Sequence, residues 1–424
     1  MAQEPLRLHK LLSDFRLLLI LFVAFRLMML IAYQPFYLDG NERGVGTGGD
    51  RLYYYQLSAL ADEGYLPFRD WWSEFPPLLY VVTTGIYIGL GQSATYANWS
   101  LIMGALSVLS EAGILILLYQ IARKLHGQST ALALSWIYAL LFVPLLFSWW
   151  ALNTFVVFFL LLGIYWLICN KDVPSAVAIA IGALFKFIPL LIIGAVIRFF
   201  KPQRTLRYIA IAAGVFILAY VPLFVMNSEL ATISLTAQLG KPSYQTVWAL
   251  LDGNYTTGNF GSVEERLEPA TAQAGYGDRN PPIVPGWLRL VIAGTIGLFV
   301  FIRVHRFDDI GLIAFIGITL LIFYLQSQGW SPQWLAEIIV LTLLVYPTRD
   351  GVLVCIMLSF LALIEYPFMF IRTAATNGYI LPGDPMFLPW VGVVIMRTLL
   401  LIGLAVSFYK KLRQSPLPEG VTGE

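Results

Sequence analysis

The chain has 424 residues, of which 58% are hydrophobic and only 12% charged, with a mean hydropathy of +0.74 and a net charge of +2. Ordinary soluble domains carry about 25% charged residues, and none can hide this much apolar surface, so lipid is the solvent for most of the chain. The near-neutral balance, without any run of Lys or Arg, excludes a protein that tracks nucleic-acid phosphates.

Other familiar chemistries are excluded as well. Cys169 and Cys355 sit in or beside apolar runs and read as core thiols. His9, His126 and His305 lie in separate basic connectors, too scattered for a zinc site. There is no P-loop, no GxGxxG opening a helix and no nucleophile–His triad. The first apolar run is followed by Gln34-Pro35-Phe36 and not by small residues, which argues against a cleaved signal peptide.

A membrane crossing needs ~20 apolar residues in helical form, because lipid offers the backbone no partners. In chain order the candidate spans are 15–33, 98–121, 129–147, 154–169, 207–226, 287–303, 309–326, 333–347, 351–369 and 389–408. Two segments are irregular: 78–91 is short and follows Pro76-Pro77, and 174–200 carries Lys186 and Pro189 in its middle. The excess of Lys and Arg in cytoplasmic loops resolves both. If 78–91 stays in the outer interface and 174–200 enters and returns with Lys186 near its tip, every basic connector falls on the side of the N-terminus. Those connectors are Arg123/Lys124, Lys171, Arg198/Lys201/Arg204/Arg207, Arg303/Arg306, Arg349 and Lys410/Lys411/Arg413. The expected fold class is therefore all-α: a polytopic transmembrane helical bundle of about ten full spans plus one broken pair. It forms one integral membrane domain over 1–424, with both termini cytoplasmic. Two long outer loops are expected, 34–97 with interfacial helices and 227–286, with a shorter one at 370–388 and a disordered tail at 414–424.

The first outer loop is rich in groups that can do chemistry. Glycines at 44, 46, 48 and 49 lead into Asp50, where an amphipathic helix starts with Tyr53, Leu57 and Leu60 on one face and Gly64 as its stop. Asp50 reads either as a helix N-cap or as a general base at the membrane surface. Arg69, Asp70 and Glu74 read as a local ion network or as part of a site. Trp71 and Trp72 have the character of an interfacial belt.

Two later elements join the loop. Lys186 is a cation inside an apolar segment, where a charge costs roughly 2.5–3.5 kcal/mol on the insertion scale, so it needs an anionic lipid phosphate or an acidic partner. Gln326-Ser327-Gln328-Gly329-Trp330-Ser331-Pro332-Gln333-Trp334 is a polar turn at the outer end of two spans, rich in neutral groups suited to sugar hydroxyls or phosphate oxygens. In the second loop Lys241, Tyr244, Trp248, the run 252–255 and Asn259-Phe260-Gly261 suit a sugar-binding lid or a plain surface loop. Arg26, Glu111, Glu337, Glu365 and Arg397 read as halves of structural pairs.

These strings resemble the GT-C superfamily of polyprenyl-phosphate-sugar-dependent glycosyltransferases, in particular the mannosyltransferase-like family 87. The resemblance runs over about residues 1–350. It is carried by Gly49-Asp50-Arg51-Leu52-Tyr53-Tyr54, Gly64-x-x-Pro67-Phe68-Arg69-Asp70, Glu74-Phe75-Pro76-Pro77-Leu78, Lys186-Phe187-Ile188-Pro189 and Gly329-Trp330-Ser331-Pro332-Gln333-Trp334. It implies transfer of a hexose, with mannose expected, from a polyprenyl-phosphate donor to a hydroxyl of a glycolipid or glycan acceptor on the non-cytoplasmic face of the cell membrane. Inversion at the anomeric carbon is implied too, as part of making a cell-envelope glycan. Asp50 would be the catalytic base. Lys186, Gln333, Arg69, Glu74, Trp330 and Ser331 would bind substrate, Glu74 in a supporting role, with no metal and no cofactor beyond the lipid-linked donor. The chain departs from the family in having no Asp-x-Asp at Asp50, and no carboxylate in Ser148-Trp149-Trp150-Ala151-Leu152-Asn153. The competing reading is a flippase for lipid or lipid-linked sugar; it is weakened because only 174–200 is polar and broken.

Overall fold

The computed structural model describes residues 11–32, 36–38, 41–43, 50–147, 151–258, 261–274, 279–373, 376 and 378–415. The glycine run before Asp50, the Ser148–Trp150 turn, Asn259-Phe260 and the tail beyond Ser415 lie outside the described residues, as do His9, Arg7 and Lys10. Helices dominate the described residues. The strands among them are β1 (Phe36–Leu38) and β2 (Asn41–Arg43), a short antiparallel hairpin in the first loop.

Each of the ten expected spans has a helical counterpart, and the structure adds where they start and stop. In order they are α1 (Phe15–Ala32), then α2 (Asp50–Ala59) and α3 (Pro77–Leu90) in the first loop, then α4 (Tyr96–His126). The next span is divided at Leu141 into α5 (Gln128–Leu140) and α6 (Phe142–Phe147), followed by α7 (Asn153–Ile168). The broken pair is α8 (Asp172–Phe185) and α9 (Ile192–Phe199), and α10 (Pro202–Met226) leads to the second loop with α11 (Ser228–Thr236) and α12 (Val247–Asp252). Last come α13 (Gly286–Ile302), α14 (Asp309–Gln326), α15 (Leu335–Val345), α16 (Arg349–Leu363) and α17 (Phe387–Arg413). Among the described residues, six helices are long and apolar enough to cross a membrane. Outward apolar side chains such as Ile20, Leu218, Val225 and Leu399 are exposed, as a lipid-facing surface requires. The chain is a multi-pass membrane protein.

The basic connectors gather at one end of the bundle. Lys124 Nζ bonds Ile168 O at 2.9 Å and Asp309 at 2.7 Å, Arg198 Nε reaches Phe301 O at 2.6 Å, and Arg413 reaches Arg303 O at 3.1 Å. Arg204 grips Asp172 at 2.6 Å, which pins the start of α8 beside the start of α10 and shows that the broken pair enters and returns. Its tip is Lys186, extended at φ −164° and ψ 137°, between the end of α8 and a short 3-10 turn over Ile188–Leu191.

At the opposite end α3 stays with α2 and does not run down to the basic end. Pro77 occupies its first turn, Tyr87 bonds Asp62 at 2.6 Å, and Trp99 of α4 donates to Thr83 O at 3.0 Å. Gly64, at φ +84°, ends the α2 segment as its position predicts. The interfacial belt expected of Trp71 and Trp72 is not formed: Trp71 is fully buried against Tyr80, with ring centroids 5.3 Å apart. Trp72 Nε1 donates to Glu265 O at 2.9 Å and Glu268 O at 3.1 Å in the second loop. The indole nitrogens that interfacial tryptophans direct to water are spent at Trp72 on joining the two loops.

Candidate functional site

The two long loops, the tip of the broken pair and the turn after α14 line a cavity of about 520 Å³. Asp50, at the start of α2, is the one carboxylate among its described lining residues. Its Oδ2 accepts from Gln333 Nε2 at 3.0 Å, and the same Gln333 amide lies 3.1 Å from Ser331 Oγ. A carboxylate that faces the late turn in this way is doing more than capping its own helix. Burial raises its pKa above the ordinary carboxylate value, while the Gln333 hydrogen bond and the charges of Lys186 and Lys241 oppose the rise.

Across from Asp50 stand two ammonium groups. Lys186 Nζ reaches Asn153 Oδ1 at 3.3 Å and lies 4.7 Å from the Trp334 ring centroid. Asn153 in turn donates to Glu337 Oε1 at 2.9 Å and to Gln333 O at 3.2 Å, so one amide orders the lysine, the acid and the late turn together. Lys241, from the second loop, ion-pairs with the fully buried Glu74. Lys186 and Lys241 lie 6.0 and 5.9 Å from the centroid of Phe75. Burial and the neighbouring Arg266 push the Lys241 ammonium well below the usual lysine range, while the charge of Asp50 works the other way.

The expected site residues separate into three sets. Asp50, Lys186, Trp330, Ser331 and Gln333 converge on the cavity. Glu74 stands one contact behind it, clasped by Lys241 and by Arg266 at 3.8 Å, and Arg266 also donates to Tyr53 Oη at 2.6 Å and covers the Trp72 ring at 4.0 Å. Arg69 lies away from the lining residues, where its guanidinium holds Asp70 at 2.7 Å and the Gly64 carbonyl. That corrects its placement: the arginine folds the first loop.

The sequence does not single out Asn153 as a site residue; it offers Lys241 only within a sugar-binding lid or plain surface loop, and Glu337 only as half of a structural pair. Glu337 carried a usable signal, since a second charge inside an apolar run is a natural counterpart for Lys186. Tyr244 lines the cavity, and its ring fills the space where Gly329 would carry a Cβ, so the late turn needs glycine there. Behind the cavity, Trp330 Nε1 donates to Glu365 at 3.1 Å, and Arg397 pairs with Glu365 and lies 4.4 Å from the Trp330 ring. Arg26, Glu111 and Tyr138 form a separate buried group between α1, α4 and α5, with Tyr138 Oη donating to Glu111 at 2.9 Å.

No protein-family model matches the chain, and no curated protein matches it. Among solved structures it is similar to ArnT from Cupriavidus metallidurans in the apo state, at 14% identity over 93% of this chain and 75% of that one, with a TM-score of 0.49. It is also similar to the Archaeoglobus fulgidus oligosaccharyltransferase in the apo form, at 12% identity over 95% of this chain, with a TM-score of 0.44. The chain spans 56% of the length of that oligosaccharyltransferase.

Proposed function

We propose that this protein is a membrane glycosyltransferase that moves a hexose, with mannose the expected sugar, from a polyprenyl-phosphate donor to an acceptor hydroxyl. The observation that carries the reading is the pairing of one half-buried carboxylate, Asp50, with the Lys186 and Lys241 ammonium groups around the cavity between the two long loops. The acceptor oxygen attacks the anomeric carbon and its proton passes to Asp50. The bond from that carbon to the phosphate oxygen breaks, and its electron pair leaves on the phosphate, where Lys186 meets the developing charge.

A single carboxylate suits this direct displacement. Double displacement at a sugar uses two carboxyl groups about 5–5.5 Å apart, one of them a nucleophile. One-step transfer with inversion is therefore the stereochemistry proposed here. Gln333 orients Asp50, Asn153 orients Lys186, and Phe75, Tyr244, Trp330 and Trp334 offer the aromatic and apolar faces that a sugar ring packs on.

The test offers polyprenyl-phosphate mannose, glucose and arabinose, with the matching nucleotide sugars, to the protein in nanodiscs with mixed lipid acceptors. Transfer from a polyprenyl-phosphate sugar that disappears in Asp50→Asn is the expected result. Absence of transfer from every donor, with labelled lipid still crossing the bilayer, would replace this reading with a transporter.

A further inference from the structure

The cavity has a side door, and a cation stands in it. Arg289 lies in the first turn of α13, where the positive end of the helix dipole disfavours a guanidinium. It is only 4% exposed and lines the cavity. Its Nη2 donates to Gln328 Oε1 at 3.0 Å, but Nε and Nη1 are buried with no hydrogen-bond partner. Among the described residues no carboxylate stands within ion-pair distance of it; Asp252, the nearby acid, spends its oxygens on Ser243 Oγ at 2.6 Å and the Ile283 amide at 2.8 Å. Buried donors without acceptors are costly, and a charged pair of them more so, unless a ligand supplies the acceptor.

An apolar groove of about 260 Å³ begins at the same place and runs between α13 and α14. It shares Leu290, Phe323 and Gln326 with the cavity. Its floor includes Gly294 and Gly297, beside which there is open space where a side chain would stand. Trp287, Leu290 and Ile296 on α13 are 47–66% exposed, so the groove opens on the lipid-facing side of the bundle. An arginine with free donors at the head of an apolar channel matches an anionic head on a long hydrocarbon chain.

We infer that Arg289 and the α13–α14 groove form a docking station for a lipid phosphate monoester, with the phosphate on the Arg289 guanidinium and the chain along Gly294 and Gly297. The station shares the cavity with Lys186 and lies where the α13–α14 groove meets it. Taking the lipid to be a polyprenyl phosphate rests on the glycosyltransferase reading above.

Direct binding tests it without requiring turnover. Purified wild type, Arg289→Gln, Arg289→Lys and Gly294→Leu are titrated with polyprenyl phosphate, with the neutral polyprenol and with inorganic phosphate. Polyprenyl phosphate affinity should fall about tenfold or more in Arg289→Gln and be largely kept in Arg289→Lys, which also serves as the folding control. Gly294→Leu, which fills the groove, should weaken polyprenyl phosphate and polyprenol but leave inorganic phosphate unchanged. Equal polyprenyl phosphate binding in Arg289→Gln and wild type would overturn the phosphate assignment. Equal binding in Gly294→Leu would overturn the groove. Arg289-dependent binding without any sugar transfer would remove the enzyme reading and leave the station, whereas transfer whose donor KM is unmoved in Arg289→Gln would do the reverse.

Discussion

At the residue scale, Asp50 is held between two opposing influences. Burial raises its pKa, and Gln333, Lys186 and Lys241 pull it back. A base must be ionised to accept a proton, so transfer should fail as pH drops through the raised value, sooner than an exposed aspartate would dictate. Gln333→Ala removes one opposing influence and should carry the acid limb of the pH–rate profile to higher pH. The same linkage has a stability side. A carboxyl whose folded pKa is raised favours the folded state below that pKa, and the contribution is lost as pH rises through it. Asp50→Asn should thus raise Tm at neutral pH while cutting the transfer rate about a thousandfold, within the range for loss of a general base. An Asp50→Asn protein that kept near-normal turnover would reduce Asp50 to the start of its helix. Lys186→Ala should raise donor KM more than it lowers kcat; an unchanged KM would remove the phosphate contact.

At the scale of elements, the cavity depends on how the two long loops are tied. Glu74 and Trp72 on the first loop meet Lys241, Arg266 and the carbonyls of Glu265 and Glu268 on the second. Glu74 has no exposure, so its loss removes a buried countercharge from Lys241 and Arg266. Glu74→Ala should cost about 3–5 kcal/mol, read as a fall in Tm, with faster hydrogen exchange over 237–268. A variant that melts like wild type would show that the loops do not depend on this clasp. The broken pair shows what sequence could and could not say. A lysine three residues before a proline marked the break, because neither helical backbone nor lipid tolerates that combination without partners. The partner itself, Asn153, is a neutral residue 33 positions away and becomes legible only when α7 and α8 pack together. The tryptophans misled for a related reason: a membrane interface and a buried loop contact want the same amphipathic ring, and composition does not separate them.

At the scale of the whole molecule, the basic connectors with Lys124, Arg198, Arg204 and Arg413 gather at one end of the bundle, and their excess was the most legible feature of the sequence. The irregular segments 78–91 and 174–200 were placed by loop charges alone; in the structure the first packs beside α2, and the second folds back so that Asp172 at its start meets Arg204 just beyond its end. Turning one segment around would have divided the basic connectors between the two ends. Which end faces the cytoplasm remains an expectation with a direct test. In a background lacking Cys169 and Cys355, single cysteines at Glu63 and at Gln414 are labelled with a membrane-impermeant reagent. Glu63→Cys should react from outside intact cells and Gln414→Cys only after permeabilisation; the opposite pattern would invert the orientation and put the cavity on the cytoplasmic face.

The basic end has a consequence for how the protein is made. Lys124, Arg198 and Arg413 are the charges that bias insertion, and each also satisfies the terminal carbonyls of a neighbouring helix, at Ile168, Phe301 and Arg303 respectively. A hairpin threaded backwards during synthesis would carry its cation to the opposite surface from the carbonyl it must cap. Orientation is thus proofread by assembly, since a topological error shows itself at once as an uncapped, loosely packed helix that membrane quality control can recognise.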